Sequence, residues 1–144
     1  MTTEAYRPTP RVTALTEAFW TGGRDGVLRI QRCTGCGYFV HPPGPVCSRC
    51  LGRSLEFAAV SGHGAVVAST VNHQAWYPGW ETPYVVAIVE LVEQPGLRIT
   101  TNIVGCPPDA VTIGMPVAAE FLEHGAVWLP QFRPVAGTAT EDSP

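Results

Sequence analysis

Four of the chain's five cysteines lie in one eighteen-residue stretch that opens Cys33-Thr-Gly-Cys36-Gly-Tyr and closes Val46-Cys47-Ser-Arg-Cys50. It contains two C-x-x-C pairs separated by ten residues. Each pair, set in a tight turn, presents two thiolates to one ion. Gly35 and Gly37 offer backbone freedom around the first pair, and Gly52 follows the second. Four thiolates at ~2.3 Å close a tetrahedral zinc site and leave no position for water or substrate. Such a metal holds shape and does no chemistry. Residues 27–55 bury too little to fold unaided, and a structural zinc contributes an apparent ~10–16 kcal/mol to small peptides of this kind. A thioredoxin-like dithiol needs a βαβ context that this sequence lacks. Soft thiolates accept zinc or iron, and zinc is favoured here. His41 lies between the pairs, but four cysteines already complete the ligand set.

No basic segment leads into an apolar core at the N-terminus, and no apolar run approaches the ~18 residues of a membrane span. The chain therefore reads as cytoplasmic, which argues against structural disulfides. Charge is unevenly placed. Residues 7–53 hold seven arginines against Glu17 and Asp25, a balance of +5. Residues 54–144 hold Arg98 and Arg133 against nine acids, a balance of −7. Lysine is absent throughout.

Thr9-Pro10 reads as an N-cap followed by proline at the first helical position. Val12, Leu15 and Phe19 then recur at helical spacing up to Gly22-Gly23, which predicts a short helix over 10–21. Its apolar face must dock, either on its own domain or on a partner subunit. Val27–Arg32 alternates and leads into the first cysteine pair. Beyond Cys50 the texture is β-rich: Leu55–Ser61, Ala65–His73, Pro83–Glu93, Leu97–Val104, Pro116–Glu123 and Ala126–Phe132, separated by glycine and proline turns. The run Tyr84–Val92 is apolar almost throughout, as a strand buried on both faces would be. Helix, metal knuckles and a closed or nearly closed β-barrel follow in that order, and no longer helix fits after residue 50. The expected divisions are a tail and helix over 1–26, a ribbon over 27–55, a barrel over 56–135 and a disordered tail over 136–144. Residues 1–8 are also expected to be disordered.

A resident catalytic centre is not visible. Cys106 stands alone, and an unpaired cysteine is most often a small buried hydrophobe. His63, His73 and His124 are scattered at strand ends. No G-x-S-x-G, H-E-x-x-H or P-loop occurs. What stands out is Trp76-Tyr-Pro-Gly-Trp80, three aromatics in five residues inside an inter-strand loop. They form either a binding surface or a plug folded over one barrel end.

The full series is C-x-x-C-G…C-x-x-C, Thr82-Pro-Tyr-Val-Val-Ala-Ile-Val-Glu90, Thr101-Asn-Ile-Val-Gly105, Ile113-Gly-Met-Pro-Val117 and Leu129-Pro-Gln-Phe-Arg-Pro134. It resembles the family of OB-fold proteins with an N-terminal rubredoxin-like zinc ribbon that accompany thiolase-like enzymes, domain of unknown function family thirty-five. The likeness covers about residues 10–135. It implies a mainly β fold in which an N-terminal helix and zinc ribbon precede a five-stranded OB barrel, with Cys33, Cys36, Cys47 and Cys50 as zinc ligands. It also implies a non-catalytic subunit whose thiolase-like or lipid-transfer-protein-like partner acts on an acyl-CoA thioester. Family members accompany thiolases, acyltransferases and aldolases, the last cleaving side-chain acyl-CoAs in bacterial steroid degradation.

An assembly with two copies of each subunit is expected. Phe19, Trp20, Trp76, Tyr77 and Trp80 would contact partner or substrate, and the isolated chain would tend to aggregate. Arg24, Arg29, Arg32, Arg49 and Arg53 are candidates for CoA phosphates. The competing reading is an OB module for single-stranded nucleic acid, which the acidic barrel disfavours. A thioesterase using Cys106 or a histidine would instead be active alone.

Overall fold

The structure is a computed structural model that describes residues 7–135; of the tails expected to be disordered, residues 1–6 and 136–144 lie outside the described residues, while Arg7 and Pro8 of the expected 1–8 tail are placed. Eight strands follow one another: β1 Leu28–Cys33, β2 Phe39–Val40, β3 Leu55–Val60, β4 His63–Asn72, β5 Tyr84–Leu91, β6 Arg98–Ile103, β7 Pro116–His124 and β8 Val127–Pro134. The first three form an antiparallel sheet in the order β2-β1-β3, and the other five close into a barrel in the order β4-β5-β6-β8-β7. A closed barrel of five short strands is the OB architecture.

Strand β3 pairs with β1 over its whole length, from Leu28↔Val60 to Cys33↔Leu55. Its residues thus complete the ribbon's sheet, although the sequence placed most of them in the barrel. Gly62, at φ 80°, turns the chain from that sheet into β4. β4 is long enough to pair with both β5 and β7, helped by an irregularity between Val66 and Ala68 that bends the strand.

The barrel core is built by alternation. Val85, Ala87, Val89 and Leu91 of β5 point inward and are buried, alongside Val66, Ile99, Ile103, Val117 and Phe132. Each large member contributes roughly 1.5–3 kcal/mol by leaving water. The expectation that β5 is buried on both faces is corrected. Tyr84, Val86, Ile88 and Glu90 are only half-buried, because their face is the barrel's exterior. β6 and β8 meet at a single parallel pair, Ile103↔Phe132. The Thr101 hydroxyl bridges the widening gap by donating to the Pro130 carbonyl at 3.0 Å.

The N-terminal helix is shorter than its periodicity predicts. α1 spans Glu17–Thr21 and passes into a 3-10 turn over Gly22–Asp25. Upstream, the Thr13 N–H donates to Thr16 Oγ1 at 2.9 Å and the Thr16 N–H to Thr13 Oγ1 at 3.3 Å. These local bonds offer the backbone an alternative to the helix. Val12 and Leu15 remain exposed, while Phe19 is 6% exposed and packs into the main core. The helix therefore docks on its own domain. A Cβ at Gly23 would stand 2.6 Å from the Phe121 ring, so only glycine lets the 3-10 turn lie against β7 and β8.

Two polar contacts fasten the ribbon to the barrel. Gln94, in the β5–β6 turn, accepts from the Phe39 N–H at 2.8 Å and donates to the Phe39 carbonyl at 3.0 Å. Glu93 accepts from the Ser61 N–H at 2.7 Å. Among the described residues, no helix is long and apolar enough to cross a membrane.

Candidate functional site

Each C-x-x-C pair forms a turn closed by a backbone bond from the residue after the second cysteine. The Gly37 N–H donates to the Cys33 carbonyl at 2.8 Å, and the Leu51 N–H donates to the Cys47 carbonyl at 2.9 Å. Both residues have positive φ, 81° for Gly37 and 65° for Leu51. Gly37 suits that left-handed conformation; Leu51 adopts it against its Cβ. Neither Gly35 nor Gly52 is a positive-φ residue, so the freedom expected there is not used.

The two turns bring all four sulfurs within 4.8 Å of one another. Cys33 and Cys50 approach to 3.6 Å, and Cys36 and Cys47 to 3.7 Å. A tetrahedron with ~2.3 Å metal–sulfur bonds has edges of about 3.8 Å, so the donor set fits one such ion. Electrostatics agree with that reading. N–H groups of Cys50 and Arg49 point at Cys47 Sγ and lower its pKa to about 6. The Gly52 N–H favours the Cys50 thiolate, but the neighbouring sulfurs of Cys33 and Cys36 outweigh it and push its pKa up to about 11. Four thiolates at this spacing repel one another unless a cation sits among them. Cys33 and Cys47 are buried, while Cys36 and Cys50 are exposed. The site lies at the end of the ribbon remote from the β3–β4 turn, and none of its four cysteines lines the two pockets described below.

The remaining candidates do not converge. Cys106 is half-buried against the main core. His63 and His73 are exposed on separate strand ends, and His124 Nε2 lies 3.0 Å from the Arg7 carbonyl. His41 packs against Phe19, with ring centroids 5.0 Å apart; burial lowers its pKa. Four of the arginines proposed for phosphates already have partners. Arg24 stacks on Trp128, Arg32 on Phe39 and Arg49 on Tyr38, while Arg29 lies 3.5 Å from Asp25. Arg53 is exposed.

The aromatic loop packs in part against Tyr84 on the outer face of β5 and leaves Trp76 in solvent. Trp80 is half-buried, with its ring 5.0 Å from Tyr77 and 5.7 Å from Tyr84. Trp76 is 65% exposed. Sequence reasoning missed Arg7, whose guanidinium lies 5.6 Å over the Trp80 ring. Arg7 lines two pockets that share Thr100, Thr101 and Asn102 of β6. One, of about 740 Å³, runs beside Trp80 and Tyr84; the other is a groove of about 470 Å³ that runs beside Trp20 and His41 to Leu129 and Pro130 of β8. Phe19 and Trp20 thus border this groove instead of standing free.

A four-cysteine ribbon clamped to a closed five-stranded barrel defines a zinc-ribbon OB-fold architecture. Family profiles agree part by part. Residues 20–56 match the ChsH2 rubredoxin-like zinc ribbon domain, and residues 58–122 match the ChsH2 C-terminal OB-fold domain. The chain belongs to this ChsH2/DUF35 family of zinc-ribbon OB-fold proteins.

It is 38% identical over 96 residues to a DUF35 domain-containing scaffold protein of Methanothermobacter thermautotrophicus, covering 65% of this chain and 71% of that one. It is 42% identical over 133 residues to a probable enoyl-CoA hydratase alpha subunit of Thermomonospora curvata, covering 91% of this chain and 41% of the relative. It is also 37% identical over 108 residues to the 3-oxo-4,17-pregnadiene-20-carboxyl-CoA hydratase alpha subunit of Mycobacterium tuberculosis, covering 75% and 34%. The chain spans well under half the length of these two hydratase subunits. Among solved structures, a chain of the Ltp2-ChsH2(DUF35) aldolase superposes with a TM-score of 0.79 at 39% identity, covering 88% of this chain and 98% of that one.

Proposed function

We propose that this chain is a non-catalytic accessory subunit of an acyl-CoA enzyme of steroid degradation. Its thiolase-like, lipid-transfer-protein-like partner would perform retro-aldol cleavage of a side-chain acyl-CoA. The likeness to the aldolase chain carries this reading, because it extends over nearly the whole of that chain at 39% identity. A structural zinc holds the ribbon through Cys33, Cys36, Cys47 and Cys50. Exposed Trp76 and the neighbouring Tyr77 and Trp80 supply contacts to the partner, and the pocket beside them borders the CoA thioester. The assembly contains two copies of each subunit. Arg53 and the stacked arginines are the candidates to meet CoA phosphates.

Affinity purification of the tagged chain from its native cells, with co-purifying proteins identified by mass, tests the reading. The expected result is a stoichiometric thiolase-like protein and aldolase activity of the pair that neither chain shows alone. Recovery of the chain without a partner, or with nucleic acid that salt removes, refutes it. Within the active pair, Arg→Ala variants that slow acyl-CoA turnover without loosening assembly identify the phosphate contacts. Unchanged kinetics across all five remove that assignment.

A further inference from the structure

Strand β3 is the edge of the ribbon's sheet, and its register shows which of its backbone groups are unused. The Cys33 N–H donates to the Tyr38 carbonyl, and the Cys33 carbonyl accepts from the Gly37 N–H. Both Cys33 groups therefore face β2, and the opposing Leu55 is a non-hydrogen-bonded partner whose own groups face away from β1. The two-residue period carries this along the strand. Glu56, Ala58 and Val60 bond to β1, while Leu55, Phe57 and Ala59 point their N–H and C=O groups outward. Neither a backbone nor a side-chain bond fills those outward positions among the described residues. The edge contains no proline, no lysine and no glycine to blunt it, which are the usual guards against pairing.

We propose that a second copy of this chain pairs antiparallel along this edge, about a two-fold axis through Phe57. The register is self-complementary. Leu55 lies opposite the other copy's Ala59 and Phe57 opposite its own counterpart, each pair exchanging two hydrogen bonds. Glu56, the strand's single charge, faces the other copy's Ala58, so no like charges meet. One step further out, Arg53 comes opposite Ser61 of the other copy. That serine's N–H is held by Glu93 Oε2. Arg53 has no ion pair among the described residues. The two ends of the paired ribbon thus place a cation against a carboxylate, twice by symmetry. The result is one continuous six-stranded sheet, β2-β1-β3 followed by its two-fold mate, with the metal turns at its outer ends and the Trp76–Trp80 loops uncovered. Isologous closure of this kind leaves no β3 edge exposed.

The zinc-loaded full chain is tested by sedimentation across about a hundredfold range of concentration. A mass rising to twice the 15.4 kDa of the chain is expected, with the Leu55, Phe57 and Ala59 amides becoming protected from hydrogen exchange in step. Ala59→Pro removes an outward N–H that the monomer does not use, so it leaves a folded, zinc-bound monomer. Ala59→Lys places a charge beside Leu55 of the mate, retains every backbone bond of the monomer and serves if the proline variant misfolds. A single-chain mass throughout, a dimer indifferent to the substitutions, or a Phe57 amide whose exchange ignores concentration overturns the proposal. None of these outcomes touches the accessory-subunit reading, whose partner contacts lie on the aromatic loop, although a confirmed dimer withdraws Arg53 from the phosphate candidates.

Discussion

Replacing Gln94 with alanine tests whether one side chain couples the ribbon to the barrel. Phe39 belongs to a two-residue strand and is 8% exposed, and its N–H and carbonyl both bond to the Gln94 amide. Alanine removes two hydrogen bonds and leaves two buried backbone groups unpaired. Each costs roughly 1–3 kcal/mol; with partial access for water, we expect about 2–4 kcal/mol in total. That is a large share of a domain stability of about 5–15 kcal/mol. At this chain length it corresponds to a fall in melting temperature of roughly 8–16 °C.

Denaturant melts followed by tryptophan fluorescence, at fixed zinc excess, measure the loss. Gln94→Glu is the informative companion. Its carboxylate still accepts from the Phe39 N–H but faces the carbonyl without a proton. The folded state therefore raises the pKa of the introduced carboxyl. The deficit of this variant is smallest below the ordinary glutamate value of ~4.3 and grows as pH rises through the raised folded value. A Gln94→Ala loss under about 0.5 kcal/mol, the size of an ordinary surface substitution, would refute the coupling.

In the metal-free chain, the Cys47 pKa of about 6 lies below the unfolded value. Its contribution to stability is complete above ~8.5 and is lost as pH falls through about 6; ultraviolet thiolate absorbance should show this first titration and Cys47→Ser should erase it. A first thiolate near ~8.5 contradicts the assignment. Chelation of the zinc should release one ion per chain and melt the β2 and metal-turn amides to hydrogen exchange while the barrel amides of Val85–Leu91 stay protected; simultaneous loss of both would show that the barrel depends on the metal. Gly23→Ala should cost about 1–3 kcal/mol by overpacking against Phe121 and Trp128, and an unchanged melt would mean that the 3-10 turn is not held there. Leu51→Gly should stabilise the ribbon by about 1 kcal/mol, since Leu51 is exposed at φ 65° in a conformation that penalises side chains; a loss of stability would show that the leucine side chain contributes more than the strain it carries.

Spacing alone specified the metal turns, since the ligands are close in sequence and each turn is closed by its own backbone bond. The order of strands was readable for a related reason, because alternation and turn residues are local signals. The helix was overdrawn where Thr13 and Thr16 bond each other, a competition that apolar periodicity cannot register. β5 misled for a different cause: an apolar exterior half-covered by the aromatic loop has the same composition as a strand buried twice.

What the sequence determined by itself is what chemistry acting over a few residues determines: a four-thiolate ion site, a β-rich remainder and the lack of a short catalytic motif. Tertiary structure alone decided that β3 completes the ribbon's sheet, that Gln94 substitutes for a strand beside Phe39, and that Arg7 lies over Trp80. These contacts join residues 55 and 73 positions apart in the last two cases. Their energy comes from backbone groups and ring faces that every residue of the same type carries. No local pattern distinguishes the glutamine that meets Phe39 from one that meets water; only the closed barrel, by fixing where the β5–β6 turn points, makes that choice.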